Sequence, residues 1–594
     1  MSTHKSVLRK FLIWKYKHIS EGQFMYILSV LVGLLAGLGT VLLKNLTHYI
    51  RLLFELDFFN NYQNSLYFIF PIIGLLLVYI IKQTWLKKHI GHGISSTLHA
   101  ISKLGGIIPR YNIYAALITA PLTAGFGGSV GLQGPAVSVG SALGSNAARL
   151  FRMNQKGRML LIACAAAGAM ASMFKAPIAA IVFAIEIFSL DIAFTSLVPL
   201  LLASVSAVVT SYLFLGADVL LRFELSDKFQ INDIVFYVLL AIVTGLASVY
   251  FSKIFFAITN FFKQFNNRAF RLLMGGLTIG MILYFVPPLY GEGYGIMNNL
   301  LKGNHLAAIG NTPFDLDLTN IWIVIALLLG ITLFKAIAMT TTFGAGGVGG
   351  VFIPTLVMGS TLGNAFAKII NNIGLDFDVS ESNFTLIGMT GLMAGVLHAP
   401  LTSIFLIAEI TGGYELFLPL MLVSAISFAI TKYYVSHSIY TLRLAQRGEL
   451  ITHNKDKNVL MVLDIDKVIE TNFIILKPEM ILEDILKNAV AKSSRNHFPV
   501  VNDNHEFLGV IRLDDIRHMM FNTDLYKKVE ASSLMHADAG IINYEEDNMS
   551  SIMDKFKSSG AWNLPVVKKG KYYGYISRSK LLTAYREQLI NFTQ

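Results

Sequence analysis

Apolar residues in the first three quarters of the chain run in blocks, near 24–53, 65–86, 157–216, 230–290, 320–343 and 384–434. About 20 consecutive apolar residues cross a bilayer as a helix, so the pattern predicts a polytopic membrane protein built of helices. Two windows, 111–148 and 336–367, contain no Asp, Glu, Lys or Arg and are long enough to span, yet both are dense in glycine. Gly125, Gly127, Gly128, Gly131 and Gly134 fall in the first, and Gly344, Gly346, Gly347, Gly349 and Gly350 in the second. An uninterrupted helix does not carry that glycine load. Irregular backbone at membrane depth persists only where protein or a polar cavity surrounds it, so both windows read as broken helices.

The two windows are copies of one another. Gly131-Leu132-Gln133-Gly134-Pro135 and Gly350-Val351-Phe352-Ile353-Pro354 lie 219 residues apart, as do Gly140-Ser141-Ala142-Leu143-Gly144 and Gly359-Ser360-Thr361-Leu362-Gly363. At an offset of 223, Gly168, Met170, Ala171, Ala176, Pro177, Ile181, Glu186 and Ile187 match Gly391, Met393, Ala394, Ala399, Pro400, Ile404, Glu409 and Ile410. Paired discontinuous helices in two halves point to a transport site.

Composition agrees: 54% of the 594 residues are hydrophobic and 14% charged, and the single cysteine, Cys164, excludes a disulfide framework or a multi-cysteine metal site. Charge is segregated. Residues 1–450 hold 29 Lys+Arg against 18 Asp+Glu, whereas residues 451–594 hold 19 of each. The first part reads as embedded and the second as a soluble appendage. The net +11 therefore says nothing of nucleic acid. Lys5, Arg9, Lys10, Lys15 and Lys17 place the N-terminus in the cytoplasm by the positive-inside rule. The apolar block after them lacks a small-residue cleavage site, which argues against a removable signal peptide.

Proline sits well in the first turn of a helix, so Pro135 and Pro354 each mark a half-helix start. Free N–H groups and the positive dipole end of each half-helix would then face the membrane centre. Two such ends with no basic side chain nearby suit a small anion that must also leave, because a buried Lys or Arg would hold it too tightly. The other reading is that the glycines only allow close helix packing. Packing alone does not require a proline at the same place in both halves, which favours the anion reading.

At this point the residues resemble the CLC family of chloride channels and proton/chloride antiporters, over roughly residues 25–448. Family motifs G-S-G-I-P, G-[KR]-E-G-P and G-x-F-x-P and a late tyrosine correspond here to Gly91-His92-Gly93-Ile94-Ser95, Gly131-Leu132-Gln133-Gly134-Pro135, Gly350-Val351-Phe352-Ile353-Pro354 and Tyr440. The resemblance implies an inverted-repeat, broken-helix CLC-like fold and a homodimer with one pore per subunit. It assigns anion binding to His92, Gly93, Ile94, Gln133, Gly134, Phe352, Ile353 and Tyr440, with backbone amides and the Tyr440 hydroxyl as the coordinating groups. The helices from Pro177 and Pro400 are candidates for the subunit interface.

Several departures carry the functional reading. The family's gating glutamate falls on Gln133, which has nearly its shape but neither charge nor exchangeable proton. The antiporters' internal proton glutamate falls on Ile187, a lost proton site. Proton coupling needs a titratable side chain at each relay point, so the resemblance implies a passive, uncoupled chloride channel or uniporter. The alternative is a proton/chloride antiporter using other titratable groups, such as Glu186 or His92. His92 replaces the motif's serine and Ser95 its proline. The imidazole either donates to the anion or points aside, leaving the amides of Gly93 and Ile94 to coordinate.

Glu186 and Glu409, at equivalent repeat positions near helix ends, read as structural ties within each half. Lys175 reads as an interface lysine snorkelling to headgroups or as an anion attractor at a pore mouth, and Cys164 as packing. An intramembrane metalloprotease is set aside, since the chain has no His-Glu-x-x-His and His92, His99 and His398 lack metal-ligand spacing with a carboxylate. No metal and no obligatory cofactor are expected.

From about residue 464 the periodicity shifts to short strands and amphipathic helices. His497-Phe498-Pro499-Val500-Val501 leads to Gly509-Val510-Ile511, and Asn563-Leu564-Pro565-Val566-Val567 leads to Gly574-Tyr575-Ile576. These two β-β-α units resemble an α/β pair of CBS domains. Such pairs often bind adenine nucleotides through a Ser/Thr and an Asp. Here the first unit has Arg512 but keeps Asp515, and the second keeps Ser577 but has Lys580, so the pair is either a ligand-gated regulatory tail or a structural module.

The expected organisation is a basic N-terminus (1–22) and a membrane domain (23–448, repeats at about 23–216 and 230–448). A linker (449–463) and two CBS domains (464–528 and 529–594) follow. The expected setting is the cell membrane, inner or plasma, with multiple passes and both termini cytoplasmic. The partners are chloride or a similar anion, the bilayer and a second copy of the chain, with no nucleic acid.

Overall fold

The computed structural model describes residues 10, 12–54, 63–87, 93–189, 194–216, 229–309, 314, 317–374, 377–446, 463, 465–536 and 540–593. Lys5, Arg9, Gly91 and His92 lie outside these residues. The chain packs as two compact units, Met1–Leu450 and Ile451–Gln594.

The first unit is helical. Its first half contains α1 (Glu21–Phe54), α2 (Gln63–Ile81), α3 (Gly93–Lys103), α4 (Tyr111–Gly125), α5 (Gln133–Leu150), α6 (Gln155–Phe174), α7 (Pro177–Phe188) and α8 (Phe194–Leu215). Its second half contains α9 (Ile234–Lys263), α10 (Arg268–Phe285), α11 (Tyr294–Leu301), α12 (Ile321–Gly344), α13 (Phe352–Asn372), α14 (Glu381–Leu397), α15 (Pro400–Ile410) and α16 (Phe417–Tyr434). Among the described residues, nine helices are long and apolar enough to cross a membrane.

Both glycine-rich windows are interrupted, as predicted: α4 gives way to α5 across residues 126–132, and α12 to α13 across 345–351. The breaks are built alike. Gly127 and Gly346 occupy equivalent places and have φ of +91° and +99°, a region that disfavours any residue with a Cβ. At Gly127 there is also no room, because a Cβ would lie 2.1 Å from the Tyr290 ring.

Close packing accounts for the next pair of glycine motifs. A Cβ at Gly140 would lie 2.4 Å from the Ala165 carbonyl of α6, and one at Gly363 would lie 2.1 Å from the Phe384 carbonyl of α14. The glycines thus serve both the helix breaks and close helix packing, each at different positions. The helices behind these contacts are capped equivalently. The Asn154 side chain accepts from the Gly157 N–H to open α6, and Ser380 Oγ accepts from the Asn383 N–H to open α14. Each helix ends in a left-handed residue, Lys175 or His398, two positions before the proline that starts the next.

Glu186 and Glu409 do not tie each half to itself. The Glu186 carboxylate accepts from the Leu401 and Thr402 N–H groups, at 3.2 and 2.9 Å, and from the Thr402 hydroxyl at 2.6 Å. Glu409 accepts from the Ile178 and Ala179 N–H groups at 3.0 and 2.7 Å. Antiparallel packing of α7 on α15 brings the C-terminal end of one helix to the N-terminal end of the other. Each carboxylate therefore satisfies the free donors of the opposite half. The Lys175 ammonium donates to the Gly216 carbonyl at 2.7 Å and lies over the Tyr212 ring, closing the end of α8. Cys164 is fully buried in α6, against the Ser29 hydroxyl of α1.

The second unit repeats one supersecondary motif. β2 (His497–Val501) pairs antiparallel with β3 (Phe507–Arg512), with a register shift between Val500 and Val501. β5 (Asn563–Lys568) pairs with β6 (Lys571–Ser577), with the same shift between Val566 and Val567. β1 (Ile469–Glu470) and β4 (Ile542–Asn543) extend the latter sheet in the order β1-β6-β5-β4. Each hairpin has its own apolar core, one around Phe498, Val500 and Ile511 and the other around Leu564, Val566 and Ile576. The second core is closed by α17 (Met549–Ser559) and the start of α18 (Arg578–Thr593).

Candidate functional site

The two repeated Gly-x-x-x-Pro segments meet. Gly131 and Gly350 form a two-residue antiparallel bridge, with N–H···O distances of 2.9 and 2.6 Å in the two directions. Immediately beyond it, α5 starts at Gln133 and α13 at Phe352, equivalent positions of the repeat, with Pro135 and Pro354 in their first turns. The first intrahelical bonds are Ala136 N–H to Leu132 O and Thr355 N–H to Val351 O. The N–H groups of 132–134 and 351–353 thus precede the helical ladders on either side of the bridge.

The approach is so close that no side chain fits between the segments. A Cβ at Gly350 would lie 2.6 Å from Gly134 N, and one at Gly134 would lie 2.9 Å from the Gly350 Cα. A third helix start joins them: Gly93, at the head of α3 with φ +45°, would place a Cβ 3.1 Å from the Gly134 carbonyl oxygen. Gly93, Gly134, Phe352 and Ile353 are thereby gathered at one place. Ile94, Phe352 and Ile353 are buried, and Phe352 packs on Phe174 with ring centroids 5.4 Å apart. Tyr440 is buried in the turn 438–441. Ile187 is buried in α7 beside Glu186 and offers no titratable group there.

Gln133 is fully buried at the first position of α5, and its amide nitrogen donates to the Tyr294 hydroxyl at 3.0 Å. Its amide oxygen is buried without a hydrogen-bond partner. Rotating the amide by half a turn lets Tyr294 donate to the oxygen instead and presents the NH2 group to whatever sits at the helix end.

One participant escapes the motif reading. The Glu292 carboxylate accepts from the Leu132 N–H at 3.1 Å, so an acid from the loop before α11 holds the first free donor of α5. That loop is clamped to the break between α4 and α5. Ser129 Oγ donates to the Leu289 carbonyl at 2.8 Å, Gly291 N–H to Gly127 O at 3.3 Å, and Tyr290 Oη to Gly125 O at 3.3 Å. Lys335 of α12, fully buried, donates to the Gly291 carbonyl at 3.1 Å. The expectation of no basic side chain nearby therefore fails, because the uncharged window 336–367 begins one residue past this lysine. Burial pushes the Glu292 carboxyl above its ordinary range, opposed by the Leu132 N–H and by the positive charges of Arg51, Lys44 and Lys335. A signal for both residues exists in the sequence: Glu292 is the only acid between Asp233 and Asp315, and Lys335 the only charge between Asp317 and Lys368.

In the second unit, Asp515 accepts from the Arg512 N–H at 2.9 Å and lies 3.3 Å from His536 Nε2. Ser577 Oγ accepts from the Lys580 N–H at 3.2 Å and donates to Glu470 at 3.3 Å. Both residues cap the turn that follows their hairpin.

Comparison with known proteins agrees with this architecture. The family model for voltage gated chloride channels matches residues 73–432, and the CBS domain model matches residues 464–522. The voltage-gated ClC-type chloride channel ClcB of Escherichia coli K12 is 27% identical over 443 residues, covering 71% of this chain and 99% of that one. A slow cyanobacterial Cl−/H+ antiporter of known structure superposes with a TM-score of 0.58 at 20% identity, covering 71% of this chain and 97% of that one. A eukaryotic CLC transporter superposes with a TM-score of 0.58 at 16% identity, covering 94% of this chain and 97% of that one. This chain is a multi-pass membrane protein that belongs to the voltage gated chloride channel (CLC) family.

Proposed function

We propose that the protein conducts chloride or a similar small anion passively, without moving protons in exchange. The observation that carries this reading is Gln133, an uncharged and fully buried side chain at the head of α5. It has no proton to exchange, and Ile187 offers none further along. The anion would rest on backbone N–H groups of Gly134, Phe352 and Ile353 with the Tyr440 hydroxyl, Gly93 and Ile94 would complete the site from α3, and the resemblance adds His92. Backbone dipoles would supply the direct contacts to the anion, while the Lys335 ammonium stands beside them, engaged with the Gly291 carbonyl.

The test is anion flux from proteoliposomes under a chloride gradient, with external chloride and pH recorded together. Chloride efflux that requires valinomycin and moves no protons is the expected result. Proton uptake driven by the chloride gradient would establish the second reading, a proton/chloride antiporter, which the carboxylate of Glu292 at the same helix end favours.

The working assembly is a homodimer through the α7 and α15 faces, where Ile178 and Leu401 are exposed. Both termini are cytoplasmic, and the protein is not an enzyme. The CBS pair regulates conduction, with adenine nucleotide as its ligand through Asp515 and Ser577. Calorimetric titration of the full chain with ATP and AMP tests the last point, and the absence of heat with either leaves the pair a structural module.

A further inference from the structure

We propose that Glu292 is the carboxylate gate of this protein, delivered to the head of α5 from a different segment than the one where the resemblance placed a gate. Ionised, it holds the Leu132 N–H and competes with an anion for the same helix end. Protonated, it loses the charge that fixes it there, and the end is open to the anion. The inference deepens the proposed function and rests on its reading of the α5 and α13 ends as the anion site.

Three observations carry it. The carboxylate already occupies a donor of the half-helix, at 3.1 Å from Leu132 N. One residue away, the buried Gln133 amide has an oxygen with no partner, which the half-turn described above would exchange for a donor facing an incoming anion. Finally, the carboxylate hangs on a short turn between two glycines in left-handed conformations, Gly291 at φ +63° and Gly293 at φ +97°. The turn itself is held by Lys335 at the Gly291 carbonyl and by the start of α11. The device is therefore a fixed turn with one movable side chain.

The groups that set its proton affinity come from every element packed around it: Lys335 of α12, Lys44 and Arg51 of α1, and the Tyr294 hydroxyl of α11. Burial favours the protonated form, while the three cations and the Leu132 N–H favour the ionised form. The affinity is raised, so the change falls above the pH range of an ordinary carboxylate.

The experiment is valinomycin-driven chloride flux through the full-length protein in liposomes, from about pH 8 to about pH 5, for the wild type, E292Q and E292A. The wild-type flux rises as pH falls, by at most about tenfold per pH unit because one proton is bound. E292Q and E292A lose this dependence and at high pH conduct at the wild type's low-pH rate. A flat wild-type profile, or an unchanged pH dependence in both variants, overturns the proposal.

Should neither variant reconstitute, the wild type alone still decides. Competition requires the midpoint of its profile to move to higher pH as chloride is raised, and a midpoint indifferent to chloride overturns the gate. Proton recording in the same liposomes keeps the two ideas apart. Coupled proton movement refutes passive conduction, whereas the fate of the Glu292 gate is read only from the pH profiles.

Discussion

Restoring a carboxylate at position 133 is the sharpest perturbation available. In Q133E the side chain keeps its length and place at the head of α5, but becomes an acceptor only and loses the N–H that reaches Tyr294. It also becomes the second carboxylate on one helix end, since Glu292 already holds the adjacent Leu132 N–H. Carboxylates at neighbouring donors of a single helix end stand about 4–6 Å apart, where like charges repel by about 3–4 kcal/mol at an effective dielectric constant of about 20. That repulsion corresponds to about 2–3 pH units. The pair then titrates in two steps and shares one proton near neutrality. Q133E flux should therefore show two pH transitions separated by about 2–3 units, with conduction above the upper one suppressed at least about tenfold. The assay is the liposome flux series above, repeated on Q133E and on Q133E/E292Q, in which only one transition should remain. A Q133E profile that superposes on the wild type would refute the assignment of both residues to the anion site.

Three further outcomes follow from the packing. Gly350→Ala forces a methyl group to within 2.6 Å of backbone at Gly134, so flux is lost while the protein still elutes as a folded species on size exclusion; retained flux would mean the two helix ends do not define the pathway. Glu186→Gln and Glu409→Gln each replace a carboxylate that accepts two backbone N–H groups. Each should cost about 1–3 kcal/mol, read as a lowered Tm in detergent, and the double variant should lose the sum, because the two clamps share no hydrogen bond. In the second unit, burial pushes the Asp547 carboxyl up, but hydrogen bonds from Lys555, Ser551 and the Asn543 N–H outweigh it and hold the group below its ordinary range. The stability this confers is present above the unfolded carboxylate pKa of about 4 and is lost as pH falls through the lower folded value. Asp547→Asn should accordingly make the C-terminal unit of the full chain more protease-sensitive at neutral pH, with the difference narrowing in acid.

Much of this was readable from residues because the features repeat. The Gly-x-x-x-Pro pair, 219 residues apart, gave both helix breaks and the helix starts beyond them, since glycine load and a first-turn proline are local signals. The hairpins at Pro499 and Pro565 were visible for the same reason. What escaped was long-range and unrepeated. Glu292 and Lys335 each stand alone in apolar sequence, and nothing local says which distant helix end a lone charge will face. Glu186 and Glu409 were found, but their partners were misplaced: an offset of 223 residues reveals equivalence, and only the antiparallel packing of α7 on α15 reveals that each serves the other's helix.

That exchange has a consequence for how the chain is made. When α7 leaves the ribosome, the acid that will complete it lies about 230 residues further along, not yet translated. The first half must wait in the membrane with two backbone donors of α7 unsatisfied, and a chaperone, a lipid headgroup or water must serve in the interval. A half expressed alone would carry both a donor pair and an acceptor that cannot reach each other within it. Two such halves side by side could present each Glu186 to the other's α7 donors, but without the hydroxyl bond that Thr402 adds in the whole chain.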